Sequence, residues 1–199
     1  PIIIINTFLA ASAGIVLSSI MRNYVMKKPQ PMFMITGPIA GLVSITASCA
    51  YVEPTEAIII GSIGGLVSGS GILLLEKIKV DDVVSAVPVH LFAGTWATIA
   101  VAIFGDLEAM GIERSMADQL YIQLIGIVSV GAFCFLSAFS IFFVINLFFR
   151  LRVNKVEEDM GLNISEHNAS TATHELLQVL NKQQEQTLKH ISEPTRLRR

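Results

Sequence analysis

The fold is decided by an apolar stretch at residues 81–104, which reads DDVVSAVPVHLFAGTWATIAVAIF. Two carboxylates, Asp81 and Asp82, stand at its start, and His90 follows eight residues after the second. At about 1.5 Å of rise per residue, a helix places His90 roughly 12 Å beyond Asp82, near the middle of an apolar bilayer core about 30 Å thick. An ionisable group at that depth is costly and by default indicates a functional site. His90 is therefore the first candidate for a functional residue.

The neighbours of His90 on a regular helix are small. Steps of three and four residues lead from it to Ala86, Ala93, Gly94 and Ala97. Such a strip indicates that the histidine faces either a lumen or a closely packed helix. The residue pattern leaves open the alternative of a buried histidine that is hydrogen-bonded across a helix contact.

The composition is that of a membrane protein. Of the 199 residues, 52% are hydrophobic and 15% are charged, whereas soluble domains carry about 25% charged residues. The net charge of −2 gives no reason to expect a nucleic-acid partner. Cys49 and Cys134 lie in apolar segments and indicate packing residues rather than a metal site. No phosphate-binding loop, metal-binding histidine pair or nucleophile elbow is present, so we predict no enzyme activity and no cofactor.

Five segments are long and apolar enough to cross a membrane as helices. They lie at about residues 2–21, 32–52, 57–75, 83–104 and 117–149. The predicted fold class is an all-α, polytopic transmembrane helix bundle over residues 1–150. The last segment would be roughly 50 Å long, so it must tilt or protrude.

The loops predict the orientation of these segments. Basic residues follow the first, third and fifth segments, and they are Arg22, Lys27, Lys28, Lys77, Lys79, Arg150, Arg152 and Lys155. Acidic residues predominate in the alternate loops. Because positive loops stay in the cytoplasm, the N-terminus of this chain is predicted outside and the C-terminus inside, in the plasma (inner) membrane.

Small residues recur within the segments at intervals of about four. The third segment carries Gly61, Gly65 and Gly69, the first carries Ala10 and Gly14, and the second carries Gly37 and Gly41. In lipid, such strips allow helices to approach closely. The sequence therefore predicts a tight bundle.

Residues after 150 are polar. Residues 151–169 are predicted to form a cytoplasmic tail, and residues 170–199 a helical linker towards a missing signalling domain. A solvated, frayed tail is the alternative for the latter, because its heptad pattern is weak. The chain also opens inside an apolar run, Ile2 to Ile5, and is interpreted as a fragment of a longer protein.

The run from Asp81 through His90 and Gly94, with Trp96 between the glycine and Ala97, resembles the tenth transmembrane helix of the ammonium transporter family (Amt/Mep/Rh). Further resemblances follow the family's order along the chain. Asn6-Thr7 resembles its seventh helix, residues 28–47 its eighth, residues 57–61 its ninth and residues 151–167 its cytoplasmic tail.

The resemblance implies the C-terminal half, helices 7–11, of an eleven-helix protomer that assembles as a homotrimer. It implies transport of ammonium or ammonia through a narrow hydrophobic pore lined by His90. Asp82 matches the acidic residue at the start of the tenth helix, where a structural or electrostatic role is expected. Either a PII-type regulator or a fused signalling domain is the expected partner of the cytoplasmic tail.

The sequence departs from the family pattern at a few positions. Leu91 and Ala97 replace glycines, Ser85 replaces an acidic residue, and Asn168 replaces the glycine after the tail histidine. Such changes resemble a subgroup whose tail is fused to a signalling module. Three functions therefore remain open at this point: an ammonium channel or transporter, an ammonium sensor coupled to an output domain, and a similar bundle for another small substrate.

Overall fold

The computed structural model describes residues 1–26, 31–162, 176, 179–185 and 187. Its elements are α1 (Ile2–Met26), α2 (Pro31–Ile45), α3 (Pro54–Ile78), a π-helical turn (Val87–Phe92), α4 (Ala93–Phe104), α5 (Met116–Phe148) and α6 (Lys155–Met160). The predicted all-α membrane fold class is confirmed. Most of the predicted linker at residues 170–199 lies outside the described residues.

Four helical segments of the described chain are long and apolar enough to cross a membrane: Ile2–Val25, Pro54–Ile78, Val87–Phe104 and Met116–Phe148. The second predicted segment is the exception. Helix α2 has 15 residues, which rise only about 22 Å against a bilayer core of about 30 Å. The count of five spans remains a prediction.

The predicted continuation of the second helix to residue 52 is wrong, because the backbone turns after Ile45. The Ser48 N–H donates to the Ile45 carbonyl three residues back, at 3.1 Å. Beyond that turn, the buried Asn6 amide donates to the carbonyls of Cys49 and Val52, at 3.0 and 2.8 Å. These carbonyls find their partner on another helix, so the α-helical bond pattern is not needed to satisfy them.

The predicted start of the fourth helix at residue 83 is also wrong. Helical structure begins at about Val87, with the π-helical turn, after Ser85 with a φ of 56°. A helix that began at residue 83 would place Pro88 in its interior, where the ring clashes with the carbonyl four residues back. A later start places Pro88 in the first turn, which tolerates a missing N–H.

Helix α1 packs closely against both α2 and α3, and the contacts fall on the small residues. A side chain at Gly41 or Gly61 would overlap the Ala10 carbonyl, and one at Gly65 would overlap the Gly14 backbone. The predicted tight packing is therefore confirmed for these three helices. Helix α4 joins it through Trp96, whose Nε1 donates to the Ile60 carbonyl at 3.0 Å.

Arg22 lies in a helix and not in the predicted loop, because α1 continues to Met26. The side chain is only 7% exposed. Its guanidinium carbon lies 4.9 Å from the centre of the Phe33 ring on α2. A cation over an aromatic face is attracted by the ring quadrupole, which stabilises this end of the α1–α2 pair.

The chain divides into two compact units, Pro1–Leu136 and Ser137–Arg199. The first contains the bundle and the beginning of α5. The second contains the end of α5 and α6, whose start is capped by Asn154, with Oδ1 accepting from the Glu157 N–H at 2.9 Å. The domain limits at residues 150 and 169 remain predictions.

Candidate functional site

The histidine lies in a π-helical turn, Val87–Phe92. The Ala93 N–H donates to the Pro88 carbonyl five residues back as well as to the His90 carbonyl. On the other side of the turn, the absent side chain of Gly71 on α3 leaves room for Pro88 and the Phe92 ring. A π turn of this kind is rare and occurs often at functional sites.

The π turn changes which residues share a face with His90. Ala93 and Ala97 are buried, at 0% and 5% exposure, whereas His90 is exposed. The prediction that Ala93 and Ala97 share its strip is therefore wrong. A π turn contains about one residue more than an α-helical turn. It therefore rotates the later residues relative to His90 by up to about 100°.

An open cleft of about 410 Å³ lies beside His90, between α4 and the first part of α5. Its lining residues are His90, Leu91, Gly94, Thr95, Thr98, Gly126, Ile127, Val130, Gly131 and Cys134. Within the described part of the chain, the His90 imidazole has no hydrogen-bond partner. The alternative of a histidine bonded across a helix contact is not observed among these residues, and the pathway role of His90 remains a prediction.

Asp82 lies at the other end of the same segment and does not reach the cleft. Its Oδ1 accepts from the Ala86 N–H and its Oδ2 from the Val87 N–H, each at 2.8 Å. A carboxylate at a helix N-terminus satisfies free N–H groups and interacts favourably with the helix dipole. The geometry gives Asp82 a structural contact that orients the turn carrying His90.

Replacing Asp82 by alanine should lower the free energy of unfolding by about 0.5–2 kcal/mol, the range for removing a side chain that accepts hydrogen bonds at a helix N-terminus. The measurement is thermal unfolding of the full-length protein in detergent. Asp81→Ala is the matched control, because the Asp81 side chain makes no hydrogen bond in the described part of the chain. Equal unfolding temperatures for both variants would contradict this role.

Three residues that line the site or stabilise the helices around it were not assigned a role from the sequence. Asn6 stabilises the end of α2, and its position as an amide inside an isoleucine-rich run was a usable signal. Thr95 and Cys134 line the cleft, but regular helical spacing does not relate Thr95 to His90. Only the three-dimensional arrangement brings Cys134 to the same cleft.

Comparison with known proteins gives a consistent result. The family described as Ammonium Transporter Family matches residues 2–172. Ammonium transporter Amt2 of Archaeoglobus fulgidus is 38% identical over 179 residues, which cover 84% of this chain and 38% of the relative. A putative ammonium transporter of Synechocystis sp. is 36% identical over 92% of this chain and 34% of its own length.

Among solved structures, one described as Sensor Amt Protein has a TM-score of 0.76 and 35% sequence identity. The match covers 83% of this chain and 41% of that chain. The chain thus spans about two fifths of the length of the proteins that it resembles.

Proposed function

The chain belongs to the ammonium transporter family, and on that premise we propose that the intact protein carries ammonium across the membrane as ammonia, through a narrow apolar pore lined by His90. The observation that supports the proposal is an exposed, unpartnered imidazole in an otherwise mostly apolar cleft of this multi-pass membrane protein. The relatives are more than twice as long as the part that this chain matches, and we infer that residues outside that part complete the pore wall.

The chemistry follows from the cost of desolvation. An ammonium ion loses strongly favourable hydration in an apolar passage, whereas neutral ammonia loses little. The proton must therefore leave before the crossing. A neutral imidazole offers one acceptor and one donor nitrogen, and its charge change lies near neutral pH. His90 can accept a hydrogen bond from the guest or relay its proton.

The assembly belongs to the same proposal. We infer a homotrimer in the plasma (inner) membrane, with the N-terminus of this chain outside and the C-terminus in the cytoplasm. The distribution of basic loop residues supports this orientation. A PII-type regulator or a fused signalling domain would then act on the cytoplasmic tail.

The test is an assay of the full-length protein in liposomes under an inward ammonium gradient. We expect an ammonium-evoked current or a change of internal pH that an equal potassium gradient does not produce, because a potassium ion has no proton to lose and would enter the apolar passage as a desolvated charge. Empty liposomes are the control. Protein-containing liposomes that respond no more than empty ones would rule out transport.

A second candidate is an ammonium sensor that passes its signal through the C-terminal helix to a cytoplasmic output domain. The similarity to the structure described as Sensor Amt Protein favours it. A sensor would bind ammonium and change the accessibility of the tail to protease without measurable flux. Flux without any ammonium-dependent change in the tail would favour the transporter.

A further inference from the structure

We propose that Thr95 is a second hydrogen-bonding position for the guest in the His90 cleft, and that it contributes to the preference for ammonia over alkylated amines. The inference rests on the proposed function and assigns a specificity-determining role to one residue of that site. Thr95 lies five residues after His90, and both line the cleft.

Thr95 lies in the first turn of α4, directly after the π-helical turn that carries His90. Leu91, Gly94, Thr95 and Thr98 are three or four residues apart, so they share one face of the helix, and all of them line the cleft. His90 lines the same cleft from the position next to Leu91. The cleft therefore brings His90 and Thr95 to one site.

The hydroxyl of Thr95 is available to a guest. The side chain is half-buried and has no hydrogen-bond partner in the described residues. Thr98, one turn further along the same cleft, already donates its hydroxyl hydrogen to the Gly94 carbonyl at 3.0 Å. The two threonines therefore share a cleft and differ in whether the hydroxyl is already bonded.

The remaining lining residues offer little hydrogen bonding. Leu91, Ile127 and Val130 are aliphatic, and the Cys134 thiol is a weak donor and acceptor. Ammonia has three N–H donors and one lone pair, so a single imidazole leaves most of them unmet. A threonine hydroxyl can donate once and accept twice, which lowers the cost of holding ammonia without water.

The same geometry favours ammonia over methylamine. Methylamine has one N–H fewer, so it gains less from a second acceptor. Removing the hydroxyl should therefore reduce ammonia transport more than methylamine transport. The effect on the ratio of the two substrates separates a specificity role from a purely structural one.

The experiment compares Thr95→Val with Thr36→Val in the full-length protein in liposomes, with ammonium and methylammonium as substrates. Thr36 lies on α2 outside the cleft, and its hydroxyl donates to the Met32 carbonyl at 2.8 Å. We expect Thr95→Val to lower ammonium transport about two- to tenfold, as the loss of one net hydrogen bond implies, and to lower methylammonium transport less. Thr36→Val should leave both rates within a factor of about two. Thr95→Ser should restore the wild-type ratio.

The outcomes are distinguishable. Wild-type liposomes without transport would overturn the proposed function, and the inference with it. Wild-type transport with Thr95→Val and Thr36→Val behaving alike would overturn only the inference. Where Thr95→Val yields too little folded protein, Thr95→Ala replaces it, and an unchanged substrate ratio in that variant would count against Thr95.

Discussion

Replacing His90 by alanine in the full-length protein should reduce ammonium transport about ten- to a hundredfold, with the amount of folded protein unchanged. In a dry passage, a guest that loses its partner is left with an unsatisfied polar group, at a cost of about 1–3 kcal/mol. Each ~1.4 kcal/mol changes a rate by about a factor of ten. The imidazole has no hydrogen-bond partner in the described chain, so its removal breaks no internal bond. Initial rates in liposomes measure the effect.

Ile103→Ala is the matched control for this prediction. Ile103 lies on α4, is 39% exposed and does not line the cleft. His90→Gln separates the two possible tasks of the ring, because glutamine keeps hydrogen bonding but cannot exchange a proton near neutral pH. Transport at the wild-type rate in His90→Ala would show that the ring does not meet the guest.

Gly65→Leu should prevent the bundle from forming, or leave it with a sharply lowered unfolding temperature. A Cβ atom at Gly65 would lie 2.9 Å from the Cα of Gly14 and closer still to its carbonyl oxygen. The obstacle is backbone, which cannot rotate away as a side chain can. Overpacking usually costs about 1–3 kcal/mol. Because the leucine would force α1 and α3 apart, we expect a loss of about 3 kcal/mol or more for this variant. Size-exclusion chromatography after stepwise heating measures the loss of folded protein.

Gly94→Ala is the control for this effect. A Cβ at Gly94 meets only Val43 Cγ1, at 3.8 Å, which is an ordinary contact. It should therefore leave the unfolding temperature near that of the wild type. If the Gly65→Leu and Gly94→Ala proteins unfolded at the same temperature, α1 and α3 would not be in close contact in the intact assembly.

The amino-acid sequence determined the class of the protein and the packing of its first three helices. Uncharged runs of twenty or so residues have few alternatives to a membrane helix. The glycines at 61 and 65 predicted close packing because helix approach in lipid depends on small residues. His90 and Asp82 were found for a related reason, since charged or titratable groups stand out in an apolar segment.

Only the tertiary structure decided where two helices end and begin and which face His90 occupies. The end of α2 depends on Asn6, which lies 43 residues from Cys49 in the chain. Local helix propensity does not reflect a contact between residues so far apart. The face of His90 depends on one π turn. Periodicity assumes 3.6 residues per turn, so it could not show that one wider turn places the buried Ala93 and Ala97 on a different face from the exposed His90.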